Sequence, residues 1–417
     1  MRRAHLSTAR ARRALVVGAG PGGIAAAGVF ARSGYNVSWV DPSFDGGALA
    51  QYSSVPANTK VDLLQEQLQF FMPAVGFGAR RAIQRMRDDA RQLLINPDPA
   101  KVGWVGLDLL CEYMRACTAE LRAHGTVRSH GGVCTALRHD AESGRWHAET
   151  TADEPVDDAD VAVVAVGGAE TPVPAALQPD SWAGAATRPP PRRIPLGDAL
   201  QLEKLRGLVG AGDTVGVVGG GHSGFVICHY LLERLKVRKV RLFVRKPIAL
   251  AEWSAELGAY DAWAFRGLKG LAADLAIRLR VAGRVPPNGV TGGAGGDAFE
   301  LHHSSQLAEC ADTAAVDAVI YCLGYRPAPV PPLVAADGRA LELAGHAEGS
   351  GELLVRPVGS DAPPAAAPGL YGAGLAFADL EYTSGGPYEA AGMPMFAERA
   401  WRIAEAEASR VSDLERR

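Results

Sequence analysis

Gly18, Gly20 and Gly23 stand at the spacing G-x-G-x-x-G, and Gly219, Gly221 and Gly224 repeat it in the second half of the chain. That spacing suits a diphosphate. The first glycine makes a tight turn, the second leaves room for the pyrophosphate against the backbone, and the third lets helix and strand pack closely. The helix that follows offers free N–H groups and the positive end of its dipole. Asp41 ends the next strand in the first repeat, near the offset expected for an acid that accepts ribose hydroxyls. In the second repeat the matching strand ends in Arg245 and Lys246. Cations there suit a 2′-phosphate and favour NADPH over NADH; the alternative is that they are solvated loop charges. Two dinucleotide sites in one chain imply electron transfer between two cofactors, of which the usual pair is FAD in the N-terminal unit and NADPH in the second.

The elements around each fingerprint are those such a site needs. "RRALVVGAG" reads as a buried strand ended by glycine, "GGIAAAGVFARSG" as a helix with small residues toward the sheet, and "YNVSWVD" as the next strand. "DTVGVVGGG", a helix from about Ser223 to Lys236, and "KVRLFVRKP" form the second βαβ unit. Between them, residues 61–95 and 105–124 have helical spacing, and "HGTVRSHGGVCTALRHD" with "RWHAETT" alternates like antiparallel strands. Residues 186–195, rich in proline, read as a linker. Residues 249–281 read as helical and carry Trp253, Tyr260, Trp263 and Phe265, which either cover a substrate pocket or pack in the core. Residues 328–369, rich in Pro, Ala and Gly, predict no regular structure, and the chain closes with a strand, a glycine loop and a helix.

Composition narrows the class. A chain of 417 residues has material for two to three domains, and 47% hydrophobic with 21% charged residues is an ordinary globular balance. A net charge of −3 gives no footprint for nucleic acid or an anionic membrane. The arginines at positions 2, 3, 10, 12 and 13 read as a solvated tail without the apolar segment of a secretory signal. No run approaches the roughly 18 apolar residues of a membrane span, so a cytoplasmic location is expected. The six cysteines contain no C-x-x-C pair, which a dithiol relay would use. The histidines show no metal-ligand spacing, and His302 and His303, adjacent on a strand, should point to opposite faces.

With these residues in place, the chain resembles the two-dinucleotide-binding-domain flavoproteins, most nearly the class B flavin-dependent monooxygenases, which include flavin-containing and N-hydroxylating monooxygenases. "GAGPGG", with Pro21 and Gly22 inside the fingerprint, and Asp41 match that group's FAD site. "DGGALAQY", with Gly46 and Gly47, is similar to its Gly-Gly-x-Trp segment, with Leu49 in the Trp position. "NTK", from Asn58, is similar to a stretch lining the flavin. "GGGHSG", with His222 and Ser223, is close to the NADPH fingerprint. "VAVVAVGG" and "VIYCLGYRP" resemble the turns joining the domains, with Val166 and Leu323 where Thr is usual, and "GLYGAGLAFAD", with Gly374, resembles the last FAD strand. The group's Phe-x-Gly-x-x-x-His linker signature has only a degenerate echo in Trp182, Gly184 and Arg188.

The resemblance implies an α/β fold of two Rossmann-type dinucleotide-binding domains, with the NADPH domain inserted into the FAD domain. The expected division is 1–185 and 311–417 for FAD and 186–310 for NADPH. It implies a monooxygenase in which NADPH reduces FAD and a hydroperoxyflavin oxygenates a small molecule at an amine, a sulfur or beside a ketone. The partners would be that small molecule and molecular oxygen, with no nucleic acid and no membrane. The alternative is an NADPH-dependent flavin reductase or dehydrogenase serving another acceptor. Asn58 is the candidate to steady nicotinamide or peroxide beside the flavin, or else an ordinary turn residue after Pro56. His222 is expected to pack or bind cofactor phosphate rather than act as an acid or base. Gly385 and Gly386 would admit the flavin to the N-terminus of the last helix, or are a plain loop pair.

Overall fold

The computed structural model describes residues 11–60, 68, 104–140, 142–178, 190–251, 253–254, 259–260, 267–281, 291–292, 298–306, 316–383, 386–390 and 392–416. The first βαβ unit comprises Arg13–Val17 (β1), Pro21–Arg32 (α1) and Asn36–Asp41 (β2). β1 is buried on both faces, as a central parallel strand must be. Its register with β2 runs from Arg13 opposite Asn36 to Val17 opposite Val40. In α1 the run Gly22–Ala31 is buried, and its alanines and glycines let the helix axis approach the sheet.

Ten strands form the first sheet. In spatial order they begin Val127–Gly131, β2, β1, Val161–Val164 and Ala365–Gly372, all paired in parallel. They continue through Glu352–Pro357, Ala340–His346, Leu333–Val334, Cys134–His139 and Trp146–Thr150. The six-stranded second sheet runs Arg192–Ile194, Ala318–Tyr321, Thr214–Val218, Lys239–Val244, Phe299–His303 and Thr291–Gly292. All its neighbours are parallel except the last pair. The chain therefore leaves the first sheet after Val164, builds the second, and returns. The return comes later than the expected boundary at 311. Ala318–Tyr321 is fully buried between two strands of the second sheet, which claims its apolar run. The two connections lie side by side, as Gly168–Glu170 pairs antiparallel with Tyr325–Pro327.

Three other expectations change. Val127–Gly131 joins the parallel edge beside β2, while Cys134–His139 and Trp146–Thr150 do pair antiparallel. Alternation marks a half-buried strand but not its partner's direction. Among the described residues of 249–281 a helix covers Gly270–Arg278, and Trp253–Ser254 pairs with Ala259–Tyr260 as a short ladder. Trp and Tyr favour such pairing; Trp263 and Phe265 lie outside the described residues. Residues 333–372 hold four strands of the first sheet rather than irregular chain. On the strand Phe299–His303, His302 is buried and His303 half-buried, as opposite facing requires.

Candidate functional site

The two fingerprint turns are built alike. Gly18 has φ +104° and Gly219 φ +121°, a backbone region that glycine tolerates. Gly18 N–H donates to Val40 O and Gly219 N–H to Phe243 O, each at 2.8 Å. A Cβ on Gly18 would lie 2.4 Å from Ala165 O, and one on Gly219 2.2 Å from Cys322 O. On Gly23 and Gly224 it would lie 1.9 and 2.1 Å from the carbonyl oxygens of Gly18 and Gly219. These four glycines are thus required by the protein's own packing. Gly20 and Gly221 differ, because a Cβ on either meets nothing within 4 Å. The space beside them is open, which is what a diphosphate at each turn requires.

A cavity of about 1020 Å³ joins the two units. The first unit contributes Gly18, Gly20, Pro21, Gly22, Asp41 and Gly47, and the second contributes His222, Ser223, Lys269 and Ala272. Gly374, with φ +81°, lines it where a Cβ on Gly22 would sit 2.6 Å from its Cα. Gly47, with φ +72°, abuts Gly20 at 2.7 Å in the same sense, and Gly46 carries φ +87° beside it. Gly22, Gly47 and Gly374 make the wall that a ligand backbone-close to the first turn would touch, and Gly46 lies outside the lining.

Asp41 is buried (7% exposed) and faces the fingerprint loop. Its Oδ2 accepts Ala19 N–H at 2.8 Å, and its Oδ1 accepts the N–H groups of Ser43 and Phe44 at 2.9 and 2.7 Å. Trp39 Nε1–H donates to Gly18 O at 2.9 Å and fixes the same turn. Three acceptor contacts bind Asp41 to backbone, and Oδ2 retains a lone pair for a ribose hydroxyl.

His222 begins the helix His222–His229. Its Nε2 accepts the Lys269 N–H at 3.0 Å. Burial, and then the nearby Lys269 charge, push its pKa down to about 4. The ring is therefore neutral with its proton on Nδ1, and brings packing and orientation but no positive charge to a phosphate.

The remaining candidates fall away from the cavity or outside the described residues. Gly219, Gly221 and Gly224 form the second turn without lining the cavity. Arg245 and Lys246 are exposed at the end of Lys239–Val244, also outside the lining. Asn58 lies on the strand Pro56–Lys60, and its side chain lies outside the described residues. Gly385 is outside them too, as are Trp182, Gly184 and Arg188. Gly386 opens the strand Gly386–Ala390, which pairs with Asp379–Thr383. That hairpin separates Gly386 from the last helix, Met393–Arg416. Gly392 and Met393 take the position expected of Gly385 and Gly386, because they begin the helix and line the cavity.

Several lining residues carry no motif. Tyr52 and Tyr325 meet edge to face with ring centroids 6.3 Å apart. Lys269 precedes the helix Gly270–Arg278. Cys134 lines the opposite wall, with its Sγ–H donating to Ala136 O at 3.4 Å and burial raising its pKa to about 11.

The profile of the pyridine nucleotide-disulphide oxidoreductase family matches residues 12–344. The chain belongs to that family. As a pyridine nucleotide-disulphide oxidoreductase family member it is an oxidoreductase with the two-unit α/β fold described above. Among solved structures it is similar to a flavin monooxygenase from Stenotrophomonas maltophilia, at 18% identity and TM-score 0.54 over 96% of this chain and 98% of the other. It is similar to an ornithine hydroxylase from Pseudomonas aeruginosa at 13% identity and TM-score 0.59, over 96% and 100%. It is also similar to a bacillithiol disulfide reductase from Bacillus cereus at 14% identity and TM-score 0.50, over 96% and 100%. At these identities the likeness is one of fold. No curated protein matches the chain. Among the described residues no helix is long and apolar enough to cross a membrane.

Proposed function

We propose that the chain is an FAD-dependent NADPH oxidoreductase of the monooxygenase type, acting on a small molecule with molecular oxygen. The observation that supports this reading is the shared cavity that both fingerprint helices line, with one thiol among the described residues of its lining. A dithiol relay needs two thiols, one of them readily ionised. Cys134 is the one cysteine among the described lining residues, and burial holds it protonated.

Bound there, the cofactors would supply hydride transfer from NADPH to flavin and then activation of oxygen. The chain's own residues bind and orient. Gly18 to Gly22 accept the FAD diphosphate at the start of α1, and Asp41 Oδ2 accepts a ribose hydroxyl. The wall of Gly22, Gly47 and Gly374 lets the cofactor lie against backbone. His222 and Ser223 would present the second turn to NADPH, and Arg245, exposed at the end of Lys239–Val244, would hold the 2′-phosphate. The apolar lining, including Leu49, Val226, Leu271 and Phe396, keeps water from the reacting atoms.

Mixing the reduced, FAD-loaded protein with oxygenated buffer and following absorbance and peroxide tests the reading. A long-lived species between the reduced and oxidised spectra, with slow peroxide release, supports oxygenation. Prompt peroxide release without that species overturns it in favour of a plain reductase.

A further inference from the structure

We propose that Lys269 binds the diphosphate of the nicotinamide coenzyme, an assignment that rests on the two-cofactor reading above. The cavity is meant to take two dinucleotides, and each diphosphate is a dianion. Yet among the described residues lining it only Asp41 and Lys269 carry charge, since His222 is neutral. The Asp41 carboxylate is bound to backbone N–H groups of the first unit. Lys269 is thus the one cation among these residues that can offset a diphosphate.

Its location says which one. The Lys269 N–H is bonded to Nε2 of His222, the first residue of the second fingerprint helix. The lysine is tied by its own backbone to the turn where Gly221 leaves open space. The FAD turn, at Gly18 to Gly22, belongs to the other unit. A protonated His222 would repel Lys269 and could not accept its N–H. The neutral ring instead positions the lysine, which lines the cavity. Arg245 and Lys246 are exposed and outside the lining, so they can serve the 2′-phosphate but not the diphosphate.

The two contacts predict different coenzyme signatures. The diphosphate is common to NADPH and NADH, whereas the 2′-phosphate belongs to NADPH alone. The test is calorimetric titration of the FAD-loaded Lys269→Met, Lys269→Arg and unmodified proteins with NADP⁺ and NAD⁺, at several salt concentrations. Loss of one charge-assisted contact should weaken Lys269→Met for both coenzymes by about ten- to a hundredfold. Its salt dependence should flatten, its FAD content should stay unchanged, and Lys269→Arg should restore most of the affinity. Because Lys269→Met keeps the backbone N–H bonded to His222, the fold is expected to survive, and FAD content checks this. Weakening for NADP⁺ alone would assign the lysine to the 2′-phosphate and overturn the proposal, as would unchanged binding. Loss of FAD from a Lys269→Met protein that retains its circular dichroism would assign it to the other diphosphate. An unmodified protein that binds both coenzymes tightly but never passes hydride to the flavin overturns the redox reading while leaving the Lys269 assignment standing.

Discussion

The backbone N–H of Lys269 donates to Nε2 of His222 across 3.0 Å, joining the start of one second-unit helix to the N-cap of another. The bond exists only while the imidazole is unprotonated. The folded-state pKa of His222, near 4, lies below the ordinary histidine value of 6.5. The unfolded chain therefore takes up a proton that the folded chain refuses. The stability linked to this site is full above pH 6.5 and is lost as pH falls toward 4, by at most about 3 kcal/mol. Gln at this position accepts the same N–H without titrating. Urea midpoints of the unmodified protein should thus fall relative to His222→Gln between pH 6.5 and 4. Parallel curves across that range would show that His222 does not accept the bond.

Gly20 and Gly23 should fail in different ways. A side chain at Gly20 enters open space, so Gly20→Val should fold with near-normal stability but purify without FAD. At Gly23 a Cβ would lie 1.9 Å from Gly18 O, so Gly23→Val should not yield a stable protein. Flavin absorbance and thermal unfolding separate the two. A Gly20→Val protein with full flavin content would move the diphosphate away from this turn.

Much of the site was legible in the sequence because its constraints are local. Gly18 and Gly219 need positive φ, Gly23 and Gly224 need the absence of Cβ, and each requirement marks one position in a short motif. Asp41 was legible for the same reason, although its bonds to Ala19, Ser43 and Phe44 were not. What stayed hidden depends on partners distant in sequence. The strands from Leu333 to Gly372 carry Ala, Gly and Pro, and it is pairing with one another, with Val161–Val164 and with Cys134–His139 that makes them strands. Lys269 has no motif around it, and its place follows from a bond to a residue 47 positions away. Gly392 was missed because the hairpin from Asp379 to Ala390 displaces the last helix from Gly386.

Arg245 is expected to set coenzyme choice. A guanidinium holding a 2′-phosphate through charge-assisted hydrogen bonds contributes about 1.5–3 kcal/mol, or roughly ten- to a hundredfold in affinity. Flavin reduction should then prefer NADPH over NADH by at least about tenfold. Arg245→Ala should erase most of that preference by weakening NADPH while sparing NADH. Equal efficiency with both coenzymes in the unmodified protein would return Arg245 to a solvated loop charge.

Electron transfer from NADPH to FAD within the cavity between the fingerprints is the proposed activity. Anaerobic stopped-flow mixing of the purified protein with NADPH tests this most directly. The protein should be yellow, and its flavin absorbance should bleach in a single NADPH-dependent phase that saturates with coenzyme concentration. Protein that carries no flavin even after FAD is supplied, or whose flavin stays oxidised with both NADPH and NADH, would contradict it.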